Sequence, residues 1–276
     1  MAWAVSPWFL VCMSLLKRKM KKNKCWVVKI GSALLTNNGK GIDKDLISEW
    51  VEQIVELQSH NIDVVLVSSG SIVEGMKRLG WKDKPSDIHK LQAAAAVGQM
   101  GLIQAYEYLF AKHSVQTAQV LLTRDNLINT KHFENISATL VNLLEFGAVP
   151  IINENDTVAT EEIKFGDNDT LAALVANLLG AERLIILTDQ HGVFDDDPRK
   201  NKNANLIEDI HFNDEKLQRV AGKTGGILGS GGMHSKVMAA KQAAKSKTFS
   251  NIAWGREEKV LTRIYLGEHI GTLIHC

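Results

Sequence analysis

Proline is scarce in this chain, at 4 of 276 residues, and no Ser/Gly linker, low-complexity tract or internal repeat divides it. A single compact unit is expected in place of a string of modules. Cysteine is equally sparse. Cys12, Cys25 and Cys276 are odd in number and have neither metal nor disulfide spacing, which excludes a disulfide framework and fits a reducing, cytoplasmic setting. Nor is any apolar run long enough to cross a membrane. Ala2 to Leu16 is apolar apart from Ser6, Pro7 and Ser14, but it is short for a span, and its positive charges follow it where a secretory signal carries them in front. Residues 1–24 are read as an N-terminal extension, disordered or mis-started, with Met13 and Met20 as internal starts. No membrane partner is expected.

Charge of one sign is also missing, since the formal net charge is +1. Six of the 32 basic residues (Lys17, Arg18, Lys19, Lys21, Lys22, Lys24) lie in a first segment without an acid, so the remainder sets 26 basic against 31 acidic residues. That mildly acidic body gives no support to a nucleic-acid surface outside the first segment, and no nucleic-acid partner is expected. Signatures of an enzyme nucleophile are absent as well: Ser68 and Ser69 lack a Gly-x-Ser-x-Gly context. A Walker A loop is excluded because the first glycine required by Gly222-Lys223-Thr224 falls on Leu217.

What is present is an alternation of strand and helix patterns in a chain that is 45% hydrophobic, enough for one α/β domain with a sizeable core. Leu46, Ile47, Trp50, Val51, Ile54 and Val55 recur with helical spacing and predict one apolar stripe laid on a sheet. The densest polar feature is Ile151 to Thr170. It gathers Asn153, Glu154, Asn155, Asp156, Asp167, Asn168 and Asp169 around one loop excursion, Val158 to Lys164, between a strand ending at Ile152 and a helix starting at Thr170. Each cluster alone is compatible with helix caps and turns. Together they bring carboxylates and amides to one edge, where a small polar substrate meets several donors and acceptors.

Three further segments point to the same edge. Gly225 to Lys236 is glycine-rich and runs into an Ala- and Lys-rich helical stretch; glycines and a helix N-terminus suit phosphate. Lys29 lies in the apolar strand Cys25 to Ile30, ahead of Gly31. A lysine there either belongs to an edge strand, snorkels at the strand end, or faces a ligand. The buried-type strand from Ile62 runs into Ser68, Ser69 and Gly70, which are well placed because ligands of open parallel sheets lie beyond the carboxyl ends of the strands.

Taken in order, these segments resemble the amino acid kinase family. The matching strings are Val27-Val-Lys-Ile-Gly-Ser, Val67-Ser-Ser-Gly-Ser-Ile, Ala96-Val-Gly-Gln, Leu121-Leu-Thr-Arg, Ile152-Asn-Glu-Asn-Asp, Glu162-Ile-Lys-Phe-Gly-Asp-Asn-Asp, Leu187-Thr-Asp-Gln-His-Gly-Val-Phe, Asp197-Pro-Arg and Gly229-Ser-Gly-Gly-Met-His-Ser-Lys. The strings at Ile152 and Glu162 favour the branch that acts on glutamate over those acting on acetylglutamate, aspartate, carbamate and uridylate. Ser68, Ser230 and Ser235 stand where the family commonly has threonine, and each keeps a hydroxyl.

The resemblance implies a three-layer αβα sandwich with a mainly parallel sheet over residues 25–276. Many bacterial members carry a C-terminal PUA domain, and none is expected here. It implies ATP as co-substrate with Mg2+ accompanying it, L-glutamate as acceptor and its side-chain carboxylate as nucleophile, so that no enzyme nucleophile is needed. Lys29, Lys236 and Asp169 are the implied catalytic residues, with Asp169 organising the two lysines. ATP is expected to meet Lys29, Gly31, Thr188, Asp189, Ser230, Gly231, Gly232, Met233, His234, Ser235 and Lys236. Glutamate is expected at Ser69, Asp156 and Asn168, with Asp156 on its ammonium group and Ser69 and Asn168 as donors. Mg2+ is expected on phosphates and water, without a dedicated protein ligand. Proline as feedback inhibitor and a homo-oligomer are implied as well. Other acceptors, or a non-catalytic nucleotide-binding regulator, are the alternatives.

Overall fold

Runs rich in Val, Ile and Leu form strands that are apolar on both faces, which only a sheet covered on both sides accommodates. The computed structural model describes residues 23–37, 41–159, 168–223 and 232–276. Its strands are β1 (Lys24–Ile30), β2 (Ile62–Val67), β3 (Thr117–Leu122), β4 (Val149–Glu154), β5 (Arg183–Thr188), β6 (Asp209–His211), β7 (Phe249–Trp254) and β8 (Thr272–His275). They join one sheet in the order β3-β4-β2-β1-β5-β7-β8-β6. Every neighbouring pair is parallel except β7 and β8, which run antiparallel.

The helices are α1 (Ser32–Leu35), α2 (Lys44–Ser59), α3 (Ser71–Arg78), α4 (Ile88–Ala111), α5 (Arg124–Ile128), α6 (Thr130–Glu145), α7 (Asn168–Leu179), α8 (Glu215–Lys223), α9 (Met233–Ala244) and α10 (Val260–Tyr265). Strand alternation sorts the core into two layers. Trp26, Val28, Ile30, Leu66 and Leu187 pack against α2, α4 and α10. Val27, Val65, Val67, Leu184 and Ile186 pack against α6, α7, α8 and α9. This is the expected three-layer sandwich. The stripe on α2 is core as read, with Leu46, Ile47, Trp50, Val51 and Ile54 buried.

The position of β1 corrects one reading. It pairs with β2 on one side and β5 on the other, so Lys29 is not an edge-strand lysine. It is a buried residue of a central strand. Around β1 the chain order of the strands reverses, and in such sheets the carboxyl ends there form a crevice. The turn leaving β2 needs Gly70, whose φ of +88° is left-handed and whose missing Cβ would lie 3.0 Å from Thr36 Cγ2. Helices α3 and α4 then approach closely enough that a Cβ on Gly75 would sit 1.7 Å from the Ala94 carbonyl oxygen, and one on Gly98 1.8 Å from that of Ser71.

Candidate active site

At the carboxyl ends of β1 and β5 lies a cavity of about 310 Å³ lined by Lys29, Gly31, Ser69, Thr188, Asp189, Gly232, Met233 and Lys236 among others. Sequence positions scattered from the first strand to the ninth helix thus share one wall. Beneath them, Asp169 at the start of α7 is fully buried. Its Oδ1 meets Lys29 Nζ at 2.5 Å and its Oδ2 meets Lys236 Nζ at 3.1 Å. The Ser235 hydroxyl donates to the same Oδ2 at 2.7 Å. Burial by itself would push this carboxyl up; the charges of Lys29 and Lys236, with the hydrogen bonds from Lys29 and Ser235, override it and hold the group well below the usual carboxylate range. A carboxylate between two ammonium groups fixes the direction of both side chains and leaves that trio with one net positive charge.

The glycine segment starts its helix earlier than the sequence pattern implies. Met233, His234, Ser235 and Lys236 form the opening of α9, with Gly232 as its N-cap. Lys236 therefore stands on a helix, not at the end of a loop. Ser235 is turned toward Asp169, and His234 is exposed. Ser230 and Gly231, together with Asp167 and most of the ribbon from Val158 to Lys164, lie outside the described residues. Thr188 Oγ1 donates to Asp189 Oδ1 at 3.1 Å, and the Thr188 carbonyl accepts from Gly255 N at 2.9 Å.

On the other side of β1, the two serines after β2 divide. Ser68 is buried, its Oγ 3.2 Å from Tyr106 Oη of α4, so it belongs to the core and not to a ligand surface. Ser69 lines the cavity. Asn168 joins the two: its Nδ2 donates to Ser68 O at 2.6 Å, to Asn153 Oδ1 at 2.8 Å and to Ser69 Oγ at 3.0 Å. The donor capacity expected to face a ligand is thus engaged by protein acceptors, which locks the β2 turn to the end of β4. Asp156 stands apart from the lysine cluster. It accepts from Ser71 Oγ at 2.8 Å, and burial raises its carboxyl above the ordinary value while that bond works against the rise. With Glu154 and Asn155 it lines a second cavity, of about 230 Å³, between α4 and the ends of β3 and β4.

Some wall residues were not assigned from sequence. Phe194 gives the main cavity an aromatic surface, and Arg199 grips Asp197 with Nε and Nη2 at 2.9 and 3.0 Å on its rim. Their signal was present in the strings Gly192-Val-Phe and Asp197-Pro-Arg, which carry no periodicity that would assign them to a wall. Among the described residues, no group of three or more His, Cys, Asp or Glu side chains is arranged to hold a metal ion.

Residues 24–251 match the amino acid kinase family model. A protein of Hydrogenovibrio crunogenus named Glutamate 5-kinase is 57% identical over 254 residues, which cover 92% of this chain and 68% of that one. The chain belongs to the amino acid kinase family. Proteins of the same name from Alcanivorax borkumensis and Pseudomonas syringae pv. tomato are 56% and 55% identical, over 92% and 94% of this chain and 68% and 70% of theirs. The UMP kinase of Bacillus anthracis superposes with a TM-score of 0.65 at 17% identity, covering 92% of this chain and 96% of that one. At that identity the likeness is one of fold, and it accounts for the amino acid kinase sheet and its two helical layers.

Proposed function

We propose that this amino acid kinase transfers the terminal phosphoryl group of ATP to the side-chain carboxylate of L-glutamate, giving L-glutamyl 5-phosphate, the first step of proline biosynthesis. The observation that carries the reading is the buried Lys29, Asp169 and Lys236 cluster on the cavity wall, in a chain 55–57% identical to proteins of that name. A carboxylate oxygen of glutamate attacks the γ-phosphorus. The bond from phosphorus to the β,γ-bridging oxygen breaks, and ADP leaves with the electron pair. Negative charge spreads over the transferred oxygens, and fixed positive charge is what the transition state needs.

In this reading Lys29 holds ATP phosphate from the strand side and Lys236 meets the transferring group. Gly31 and the Gly232 end of α9 let phosphate approach backbone N–H groups. Thr188 and Asp189 meet the nucleotide, as do Ser230, Gly231 and the first turn of α9. Asp156 takes the substrate ammonium group, Ser69 keeps its hydroxyl hydrogen for the substrate, and Asn168 holds Ser69 in place. Mg2+ fits as the counter-ion of ATP: the buried carboxylate is committed to two lysines, and Mg2+ is satisfied by phosphate oxygens and water.

The proposal places the enzyme in the cytoplasm; no helix among the described residues is long and apolar enough to cross a membrane. A homo-oligomer and feedback inhibition by proline complete the proposal. The test is to supply ATP, Mg2+ and L-glutamate and to trap the acyl phosphate with hydroxylamine. Glutamate-dependent hydroxamate with matching ADP is the expected result. ATP binding without hydroxamate would sink the reading in favour of another acceptor or a regulatory role.

A further inference from the structure

The second cavity contains a donor that the reaction as described leaves unused. Gln99 of α4 is 8% exposed and lines that cavity beside Asp156 and Glu154. Its Oε1 accepts from Asn153 Nδ2 at 2.7 Å, while its Nε2, also buried, has no partner among the described residues. A buried amide hydrogen without an acceptor is costly and calls for one.

The orientation of this amide is fixed by the backbone. The Glu154 N–H can only donate, and it donates to Asn153 Oδ1 at 2.9 Å. The Ser68 carbonyl can only accept, and it accepts from Asn168 Nδ2, which also donates to Asn153 Oδ1. Asn153 must therefore turn its NH2 to Gln99, and Gln99 must answer with its oxygen and send its own NH2 the other way. Gly98 fixes the height of this side chain, because α4 there lies directly against the Ser71 carbonyl. Ser71 in turn holds Asp156. Gln99 with its forced donor and Asp156 with its carboxylate thus line one small cavity, and such a pair is what an α-amino-acid zwitterion requires.

We infer that Gln99 is a specificity-determining residue for the phosphoryl acceptor: its Nε2 donates to the α-carboxylate while Asp156 takes the α-ammonium group. The inference rests on the functional reading above and names a residue that reading does not use. It directs the reacting end of the acceptor toward Ser69 and the lysines, and it separates α-amino acids from acids lacking the second carboxylate.

The test uses the full chain and two variants. Gln99→Glu keeps the acceptor for Asn153 and removes the donor; Gln99→Leu removes both. Folding of each is followed by thermal unfolding, and Gln99→Glu decides if the leucine variant is unstable. The expected result is a KM for L-glutamate raised about tenfold or more, the loss typical of one hydrogen bond to a charged group, with the KM for ATP unchanged. The inhibition constant of 4-aminobutanoate, which has the ammonium and reacting carboxylate but no α-carboxylate, should be no weaker. An unmoved glutamate KM overturns the inference, as does parallel weakening of both ligands, which would mark Gln99 as merely structural. Absence of glutamate-dependent hydroxamate from the native chain overturns the functional reading and this inference with it.

Discussion

Lys29 and Lys236 share a single carboxylate, and their roles differ in what replacing them should cost. In the proposed reaction Lys236 meets the transferring group, so Lys236→Ala should lower kcat by about two to three orders of magnitude, as loss of one oxyanion donor does, while the KM for ATP changes little. Steady-state kinetics with ATP varied checks this, and a near-normal kcat would refute the role. Asp169→Asn strands two buried ammonium groups and should destabilise the fold by about 3–5 kcal/mol. Its pH dependence follows from a carboxyl held below its unfolded value of 3.8: the stabilisation is fully present above that value and is lost as pH falls through the folded one. Urea unfolding should therefore show a constant deficit in the variant at neutral and mildly acidic pH, narrowing only below 3.8. Asp156 is shifted the other way, up from 3.8. If it takes the substrate ammonium as proposed, that binding form is lost at a higher pH than an ordinary carboxylate's, so the glutamate KM should climb on acidification above the ordinary carboxylate range. Asp156→Asn should have a raised KM and lack that limb of the profile. Lys29 was legible in the sequence because a charge inside an apolar strand is costly without a purpose, and Asp156 and Asp169 because they stand in a dense polar cluster. Asn153 stood out only as one of a cluster and Gln99 only as the end of a matching string, and the part each plays was hidden, since a neutral amide in a helix or strand looks the same whether it faces water, a neighbour or a ligand.

Elements were legible where periodicity was strong and misread at their ends. The stripe of α2 and the strand pattern of β2 are set by burial alone, and both lie where the sequence places them. The start of α9 is not, because Met233 to Ser235 carry little helical signal after a run of glycines; it is the pull of Asp169 on Ser235 and Lys236 that fits a helical turn there. Helices α3 and α4 pose the opposite case, with a contact that pattern cannot reveal. Gly98→Ala would press a methyl group into the Ser71 carbonyl, and a cost of about 1–3 kcal/mol in denaturant unfolding is expected from such overpacking. Because Ser71 also holds Asp156, the same variant should bind glutamate more weakly than its loss of stability alone explains. A glutamate KM unchanged in the folded variant would uncouple the helix contact from the site.

At the scale of the molecule, the layers and the parallel sheet follow from strands that are apolar on both faces, and the family motifs order them. The partner surface does not follow from either. Tyr108 and Met100 of α4 and Leu121 of the edge strand β3 are exposed apolar side chains, of which Met100 and Leu121 also line the second cavity. If a second copy covers them, sedimentation of the native chain should show more than a monomer, and Tyr108→Glu should shift it to smaller species. The place of β1 carries a different implication. Its two neighbours are β2, which follows within the first part of the chain, and β5, which begins only at Arg183; the carboxylate that Lys29 grips comes at Asp169, and the other lysine that carboxylate holds, at Lys236, comes later still. During synthesis the first strand to emerge must wait for more than half of the chain before its second edge is closed. Long-range parallel pairing of this kind is slow. The lysine-bearing cavity wall is therefore among the last parts of the molecule to exist, and recovery of activity after refolding should lag behind the recovery of helical signal.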